Sequence, residues 1–135
     1  MQTLVAASAL IHRDGKYLFI KQNKVGGAYP NTLHIPGGKI EPDESPLEAI
    51  AREIKEEVGL SGLEFKVADF DWDTFPYKGE MIRAIFLRFT AELTDGEPTP
   101  GSDAEEIIWL TKKDLPTANL NPPTVRLLKH LDILN

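Results

Sequence analysis

Several things are absent from the sequence, and each absence narrows what the protein can do. There is no cysteine, which excludes a disulfide framework, a thiolate metal site and a cysteine nucleophile, and this usage is typical of a cytoplasmic protein. No apolar run approaches the roughly 18 residues that span a bilayer, so no membrane partner is expected. The formal net charge is -6, and because basic residues are too few to neutralise a phosphate polymer, no nucleic-acid polymer is expected either.

The overall composition is that of an ordinary globular domain. The 135 residues are 41% hydrophobic and 27% charged, which is enough apolar chain to bury one core without disulfides. No repeat, low-complexity tract or linker divides the chain, so residues 1–135 are expected to form a single domain. We expect it to act as a monomer or homodimer on a small molecule.

Predicted strands outnumber predicted helices, and the two are interleaved along the chain. This order predicts an α/β (α+β) fold with a mixed sheet covered by helices on both faces. Asp14-Gly15 predicts a tight hairpin turn, whereas Pro36 and its two following glycines are expected to stop a strand, as is the segment 75–79. The predicted strands cover residues 2–12, 17–21, 33–35, 63–75, 81–93 and 107–110, with a single helical turn at 111–115 and a helix at 124–134.

Three aspartates alternate with two aromatic residues in the segment DFDWD, which starts at residue 69. A period of two is typical of a half-buried strand. We therefore expect the aspartates to form the solvent-facing side of that strand. Trp72, like Trp109, is expected to lie in the core or at a sheet edge. The aspartates are Asp69, Asp71 and Asp73.

The best-defined predicted element is a helix between Ser45 and Gly59. Ser45 is a favourable N-cap, Pro46 occupies the first helical position, and Glu48 completes a capping box. Gly59 provides the C-terminal stop. One apolar stripe of this helix is expected to face the core, and its members are Leu47, Ile50, Ala51, Ile54 and Val58.

The opposite face of the same helix carries three glutamates. Glu53, Glu56 and Glu57 occupy positions i, i+3 and i+4, so they share one face within about one turn. Like charges at this spacing repel, and a positive group is therefore expected beside them. Oxygen-only ligands suit a hard divalent cation such as Mg²⁺ or Mn²⁺ and disfavour zinc.

The spacing from Gly38 to Leu60 matches a known motif. The segment reads GKIEPDESPLEAIAREIKEEVGL, and every specified position matches the Nudix box of the Nudix hydrolases. The preceding hairpin, the Pro36-Gly37-Gly38 lead-in and the strand-rich remainder also resemble that family. The resemblance implies an α/β/α sandwich that hydrolyses nucleoside diphosphates linked to another moiety, with Mg²⁺ or Mn²⁺ as the cofactor.

The resemblance also implies roles for individual residues of the box. Glu53, Glu56 and Glu57 would be metal ligands, joined by the backbone carbonyl of Gly38. Arg52 is expected to pair with a neighbouring carboxylate, for which Glu44 is the candidate, and so to orient the ligands. Water would attack a phosphorus of the pyrophosphate link.

The general base stays open at this point. Glu53 is one candidate, slightly favoured. The other is a loop glutamate, Glu105 or Glu106, because families of this kind often supply an acidic residue just before the strand that leads to Trp109.

Substrate recognition is expected outside the box. Phe75-Pro76 and the segment from Pro116 to Asn119 resemble the MutT-type nucleoside triphosphate pyrophosphohydrolases, which remove oxidised nucleotides. By that resemblance Asn119 would hydrogen-bond a purine edge, and Phe75 or Tyr77 would stack on the base. The candidates for contacting phosphates are Lys21, Lys39 and Arg83.

Two departures from the MutT pattern keep other substrates open. An arginine expected after the second strand is absent, and Ile35 stands where an aromatic residue is expected. Pro76, sixteen positions after Leu60, also resembles the arrangement in ADP-ribose pyrophosphatases. A further alternative is a Nudix module that senses a nucleotide without cleaving it, although such modules usually lose box glutamates and this chain keeps them all.

Overall fold

The computed structural model describes residues 1–21, 28–101 and 106–135. Its strands are β1 (Gln2–Arg13), β2 (Lys16–Lys21), β3 (Leu33–His34), β4 (Gly37–Lys39), β5 (Lys66–Tyr77), β6 (Glu80–Glu92) and β7 (Glu106–Thr111). Its helices are α1 (Pro46–Val58), α2 (Pro122–His130) and a 3-10 turn at Leu115–Thr117. In these ranges no helix has the length and apolar character needed to cross a membrane.

β1 is the central strand of a mixed sheet. Along one side it pairs in parallel with β6, from Gln2 opposite Ile82 to His12 opposite Glu92, and β6 continues antiparallel to β5. Along the other side β1 pairs antiparallel with β4 and with β2, and β2 in turn pairs with β3 and β7. The short β4 therefore lies directly beside the centre of the sheet.

The two helices cover opposite faces of this sheet. Ala9 and Ile11 of β1 are buried in one cluster with Ile54 of α1, whereas the intervening Leu10 is buried in a second cluster with Leu127 of α2. Successive side chains of a strand point to opposite faces, so β1 contributes to both layers. The predicted mixed sheet with helices on both faces is confirmed.

Helix α1 begins and ends where the sequence predicts. The Ser45 side chain accepts a hydrogen bond from the Glu48 N–H and the Glu48 carboxylate accepts one from the Ser45 N–H, and Gly59 adopts the left-handed conformation with φ 68°. The predicted core stripe is wrong at Leu47, which is 55% exposed, and at Ala51, which is also exposed. The helix is turned towards Ala49 instead, whose small, fully buried side chain allows close approach to the sheet.

Several predicted boundaries are wrong. Residues 37–39 form β4 rather than stopping a strand. β5 runs on through Pro76 to Tyr77, which is possible because proline is tolerated in an edge strand, and a two-residue turn with positive φ at Lys78 and Gly79 leads into β6. The one-turn helix lies at Leu115–Thr117 rather than at 111–115, and α2 spans Pro122–His130.

The predicted orientation of β5 is inverted. Phe70 is 80% exposed and Trp72 is 60% exposed, whereas the alternating aspartates are half-buried beneath them. The aspartates can lie inward because arginines Arg88 and Arg126 form ion pairs with them. Trp109 is half-buried, with the Arg13 guanidinium 5.0 Å from its ring centroid.

Candidate active site

Two glycines bring β4 into close contact with its neighbours. A β-carbon on Gly37 would lie 2.3 Å from the backbone oxygen of Ala7. A β-carbon on Gly38 would lie 2.5 Å from the carboxyl carbon of Glu53. Both distances are far shorter than a van der Waals contact, so a side chain at position 37 would clash with fixed backbone and one at position 38 would displace the Glu53 carboxylate. The Glu53 carboxylate therefore rests directly against the β4 backbone.

Arg52 is the hydrogen-bonding centre of the box. Its Nε donates to one carboxylate oxygen of Glu44 at 2.6 Å and its Nη2 donates to the other at 2.8 Å. Its Nη1 donates to Glu53 at 2.8 Å and to Glu56 at 3.3 Å, and its Nη2 reaches the Lys39 carbonyl at 3.1 Å. The expected Arg52–Glu44 pair is thus present as a two-bond fork, which fixes the guanidinium plane.

These contacts hold both partners in their charged forms. Hydrogen bonds from Arg52, and secondarily from the backbone N–H of Glu41, lower the pKa of the Glu44 carboxyl to about 2. The hydrogen bond to Glu44 raises the pKa of the Arg52 guanidinium above its usual range. The pair therefore stays ionised throughout the physiological pH range.

The three helix glutamates differ in exposure. The side chain of Glu53 is 13% exposed and that of Glu56 is 59% exposed, and Glu57 is half-buried on the same face of α1. Among the described residues no group of three acidic, histidine or cysteine side chains is close enough to hold a metal ion as arranged. Glu53 and Glu56 instead hydrogen-bond Arg52. Their donor chemistry nevertheless fits a hard cation, because every candidate ligand atom is a carboxylate or carbonyl oxygen.

A cavity of about 410 Å³ opens beside this cluster. Gly37 and Gly38 form part of its wall, so the cavity reaches the strand against which Glu53 rests. Phe75 and Tyr77 also line it, as the sequence predicts for stacking residues. A cavity of this size is typical of small-molecule sites, which combine apolar walls with a few polar groups.

Four of the other candidate residues do not line the cavity. Lys39 is exposed at the end of β4, and Lys21 ends β2 opposite Glu106. Arg83 points to the other face of β6 from the cavity residues Phe86 and Arg88, because odd and even positions of a strand alternate, and it hydrogen-bonds the Thr3 hydroxyl at 3.2 Å. The fourth is Asn119.

Asn119 is exposed, and its Nδ2 donates to the Asn31 carbonyl at 3.0 Å. Asn119 is held next to this segment by a short parallel bridge to β3. In the bridge the Leu33 N–H donates to the Asn119 carbonyl, and the Asn121 N–H donates to the Leu33 carbonyl. Asn121 lines the cavity instead, and its Oδ1 accepts from the Thr124 N–H to cap α2.

The two loop glutamates are not equally placed. Glu106 is exposed at the first position of β7. Glu105 lies outside the described residues. The choice of general base between Glu53 and these two residues therefore stays a prediction.

Sequence reasoning missed Tyr29, His34, Arg88 and Asn121, all of which line the cavity. A signal existed only for Asn121, since Asn-Pro-Pro before an apolar helix is a typical helix start. The others come from three separate segments, and only the tertiary structure brings them together.

His34 has a fixed tautomer and a buried lone pair. Its Nδ1 lies 2.9 Å from the Ile35 carbonyl, which can only accept, so Nδ1 carries the proton and Nε2 does not. Nε2 is buried and has no hydrogen-bond partner within the described part of the chain. Burial lowers the pKa of the imidazole, so His34 is neutral at physiological pH.

Comparison with known proteins agrees with this geometry. The NUDIX domain family matches residues 2–131. The chain is 33% identical over 136 residues to the 8-oxo-dGTP diphosphatase of Escherichia coli K12, covering 97% of this chain and 100% of that enzyme. It is 32% identical over 127 residues to the nucleoside triphosphatase NudI of the same organism, covering 89% and 90%. The crystal structure of a MutT NUDIX hydrolase from Burkholderia pseudomallei aligns with a TM-score of 0.82 at 28% identity, covering 97% and 99%.

Proposed function

The chain belongs to the Nudix hydrolase family, and we propose that its substrate is a nucleoside triphosphate, unmodified or oxidised on the base, which it converts to the monophosphate and pyrophosphate. The observation that carries this proposal is the continuity between cavity and box: Gly38 lines the cavity and also contacts the Glu53 carboxylate. The two relatives described above are named for acting on triphosphates, which favours this substrate over ADP-ribose.

The base is proposed to bind between the aromatic side chains of the cavity. Phe75 is buried at the cavity wall and Tyr77 lies two residues further along β5. The sequence pattern predicts that Asn119 hydrogen-bonds the base. We assign this role to Asn121 instead, because Asn121 lines the cavity while Asn119 is bound to Asn31. The Asn121 Oδ1 already caps α2, so its Nδ2 is the group that can donate to a carbonyl of the base.

The metal is proposed to bind at Glu53, Glu56, Glu57 and the Gly38 carbonyl. A bound Mg²⁺ or Mn²⁺ supplies charge neutralisation for the phosphates and a more acidic water. Arg52 hydrogen-bonds both Glu53 and Glu56 and is also paired with Glu44, so it reduces the repulsion between these carboxylates but leaves the group negatively charged, which favours binding of a cation. The Glu44 fork would hold the guanidinium in place if Glu53 and Glu56 bound a cation instead.

Glu53 is the favoured general base among the three candidates. Its carboxylate contacts Gly38, which lines the cavity, and is held by Arg52, so its orientation is fixed next to the cavity wall. Glu106 is exposed on the edge of the sheet beside Lys21. A base must lie within hydrogen-bond reach of the attacking water, and position therefore favours Glu53.

The proposal is tested with a substrate panel. Unmodified and oxidised nucleoside triphosphates, ADP-ribose and a dinucleoside polyphosphate are incubated with Mg²⁺, and orthophosphate, pyrophosphate and monophosphate are measured, with EDTA as the control. We expect equimolar monophosphate and pyrophosphate from at least one triphosphate. If only ADP-ribose is turned over, ADP-ribose and not a nucleoside triphosphate is the substrate. Tight nucleotide binding without turnover on any compound would identify a sensing module.

A further inference from the structure

A row of alternating charges runs along the α2 side of β5, and its residues have no role in the hydrolysis proposed above. Its acidic members are Asp69, Asp71 and Asp73, which we call the acidic row. Its basic members are Arg88 of β6 and Arg126 of α2. The ion pairs follow one another in space, from Asp69 to Arg88, Asp71, Arg126 and Asp73.

The inner half of this row is buried at the cavity. Arg88 is only 3% exposed and lines the cavity. It forms a two-bond fork with Asp69 at 2.7 and 2.8 Å and contacts Asp71 at 3.2 Å. It also donates to the Pro123 carbonyl in the first turn of α2. A buried arginine needs its donors satisfied, and these contacts fix the start of α2 relative to β5 and β6.

The outer half of the row ends on a tyrosine. Arg126 donates to Asp71 at 2.6 Å and lies 3.5 Å from Asp73. The Tyr29 hydroxyl donates to the same Asp73 carboxylate at 2.5 Å. Burial and the hydrogen bond to Asp73 raise the pKa of this hydroxyl, so it remains a permanent donor rather than a proton carrier. Asp73 thus joins the charged row to the chain segment that precedes β3.

Tyr29 lies in the cavity wall in a conformation that its surroundings must maintain. Its φ is 51°, in the left-handed region that a bulky residue rarely adopts. Its ring centroid lies 5.1 Å from that of Phe75 at an interplanar angle of 51°. The Thr32 hydroxyl donates to the Tyr29 carbonyl at 2.6 Å. Anchors at the carbonyl and at the hydroxyl therefore hold the ring beside Phe75.

We propose that Tyr29 is a specificity-determining residue that contacts the nucleobase beside Phe75, and that Asp73 and Arg126 are the positioning residues that hold it there. This inference rests on the proposed function, because it assigns the same cavity to the base. The described part of the segment carrying Tyr29, residues 28–32, lies outside the strands and leads into the two-residue β3. A fixed aromatic wall on such a segment needs an external anchor, and the charged row provides one. An aromatic ring placed in advance loses little entropy when a base stacks on it.

The test measures binding of nucleoside monophosphates, so that it requires no turnover. Dissociation constants of GMP, AMP, CMP and UMP are measured by calorimetry, with ribose 5-phosphate as the probe that lacks a base. Tyr29→Leu removes the ring and is expected to weaken the best-bound nucleotide about tenfold, while ribose 5-phosphate binding changes less than twofold. Unchanged nucleotide binding, or an equal loss for ribose 5-phosphate, would overturn the assignment.

The anchor is tested by a double-mutant cycle. Tyr29→Phe keeps the ring but loses the hydroxyl, and Asp73→Ala loses its acceptor, so each is expected to weaken nucleotide binding about threefold. The double variant should be no weaker than the weaker single variant, because both remove one contact. Additive losses would show that Asp73 does not act through Tyr29. Tyr17→Phe, the same change outside the cavity, should bind every nucleotide as the unmodified chain does.

Two outcomes separate this inference from the proposed function. If the unmodified chain hydrolyses a nucleoside triphosphate but Tyr29→Leu keeps both its KM and its nucleotide affinity, the inference fails and the function stands. If no triphosphate is hydrolysed but Tyr29→Leu still weakens nucleotide binding, the function fails and the assignment of Tyr29 stands. In the turnover assay Tyr29→Leu should raise KM and leave kcat within about twofold, because base stacking contributes equally to the ground state and transition state.

Discussion

At the scale of single residues, identical side chains of α1 have different functions because of what surrounds them. Glu48 belongs to the capping box, whereas Glu53 is pressed against Gly38 and held by Arg52. Glu56 is exposed and within reach of the same arginine. The helical spacing places these carboxylates, but the glycine strand and the arginine determine how each is oriented.

Removing one box carboxylate should abolish activity without unfolding the protein. Glu53→Gln or Glu57→Gln is expected to lower kcat by a factor of about 10² or more, because a metal ligand or base is lost. The melting temperature should stay within a few degrees, since a glutamine also relieves repulsion in the cluster. Turnover and thermal melting are measured together. Glu64 is an exposed glutamate outside the box, and Glu64→Gln should keep full turnover. If Glu53→Gln is fully active, Glu53 is neither a metal ligand nor the general base.

His34 makes a contribution to the pH dependence of stability. Burial lowers its pKa in the folded state, so below about pH 6.5 the unfolded chain binds the proton first. The free energy of unfolding is therefore expected to fall as the pH drops from about 6.5 towards the folded pKa. Urea melts of the unmodified chain and of His34→Leu between pH 7.5 and 5 check this. The leucine variant should lose part of the decline, whereas His130→Leu, at an exposed position, should retain it.

At the scale of elements, capping residues and periodicity predicted where helices and strands lie, but they did not predict which side of a strand faces the core. The helix from Pro46 to Val58 is bounded by residues whose local hydrogen bonds determine its ends, so the sequence predicted both ends. The alternation in β5 predicted a strand, but a period of two is the same for either orientation. Only the arginines of β6 and α2 decide that the aspartates lie inward.

The capping box should stabilise the whole domain, because α1 carries four buried residues. Ser45→Ala removes the hydroxyl that accepts the Glu48 N–H and is expected to lower the free energy of unfolding by about 1 kcal/mol. Urea denaturation measures the loss, and kcat should change little. Ser61→Ala, at an exposed position just after the helix, is the matched control and should be neutral. Equal losses in the two variants would contradict a specific cap.

At the scale of the whole molecule, two core layers share the strands of one sheet, and the site is built on β4 beside the central strand β1. The cluster around α1 and the cluster around α2 occupy opposite faces of the sheet. Neither cluster includes a residue of the acidic face of α1, so we expect the chain to fold without a divalent cation. A cation that binds only the folded state nevertheless stabilises it by mass action.

Divalent ions should therefore raise the free energy of unfolding of a protein that is already folded without them. In EDTA the far-ultraviolet circular dichroism is expected to match that of the Mg²⁺ form. Adding Mg²⁺ at about 100 times its dissociation constant should raise the free energy of unfolding by about 2.7 kcal/mol, visible as a higher melting temperature. Sodium chloride at equal ionic strength is the control. Glu57→Gln should show a smaller shift, and an equal shift in that variant would place the cation elsewhere.

The reaction class and the frame of the box could be predicted from local features of the chain. Those features are local: Glu53, Glu56 and Glu57 share a face because of helical geometry, and Ser45 and Gly59 set its ends through contacts within a few residues. Which residues surround the cavity depends instead on contacts between segments far apart in the chain. Asn121 rather than Asn119 lines it because of the bridge to Leu33, and Tyr29 reaches it because Asp73, 44 positions away, accepts its hydroxyl. Such contacts between distant segments leave no periodicity in the sequence, and only packing brings them together.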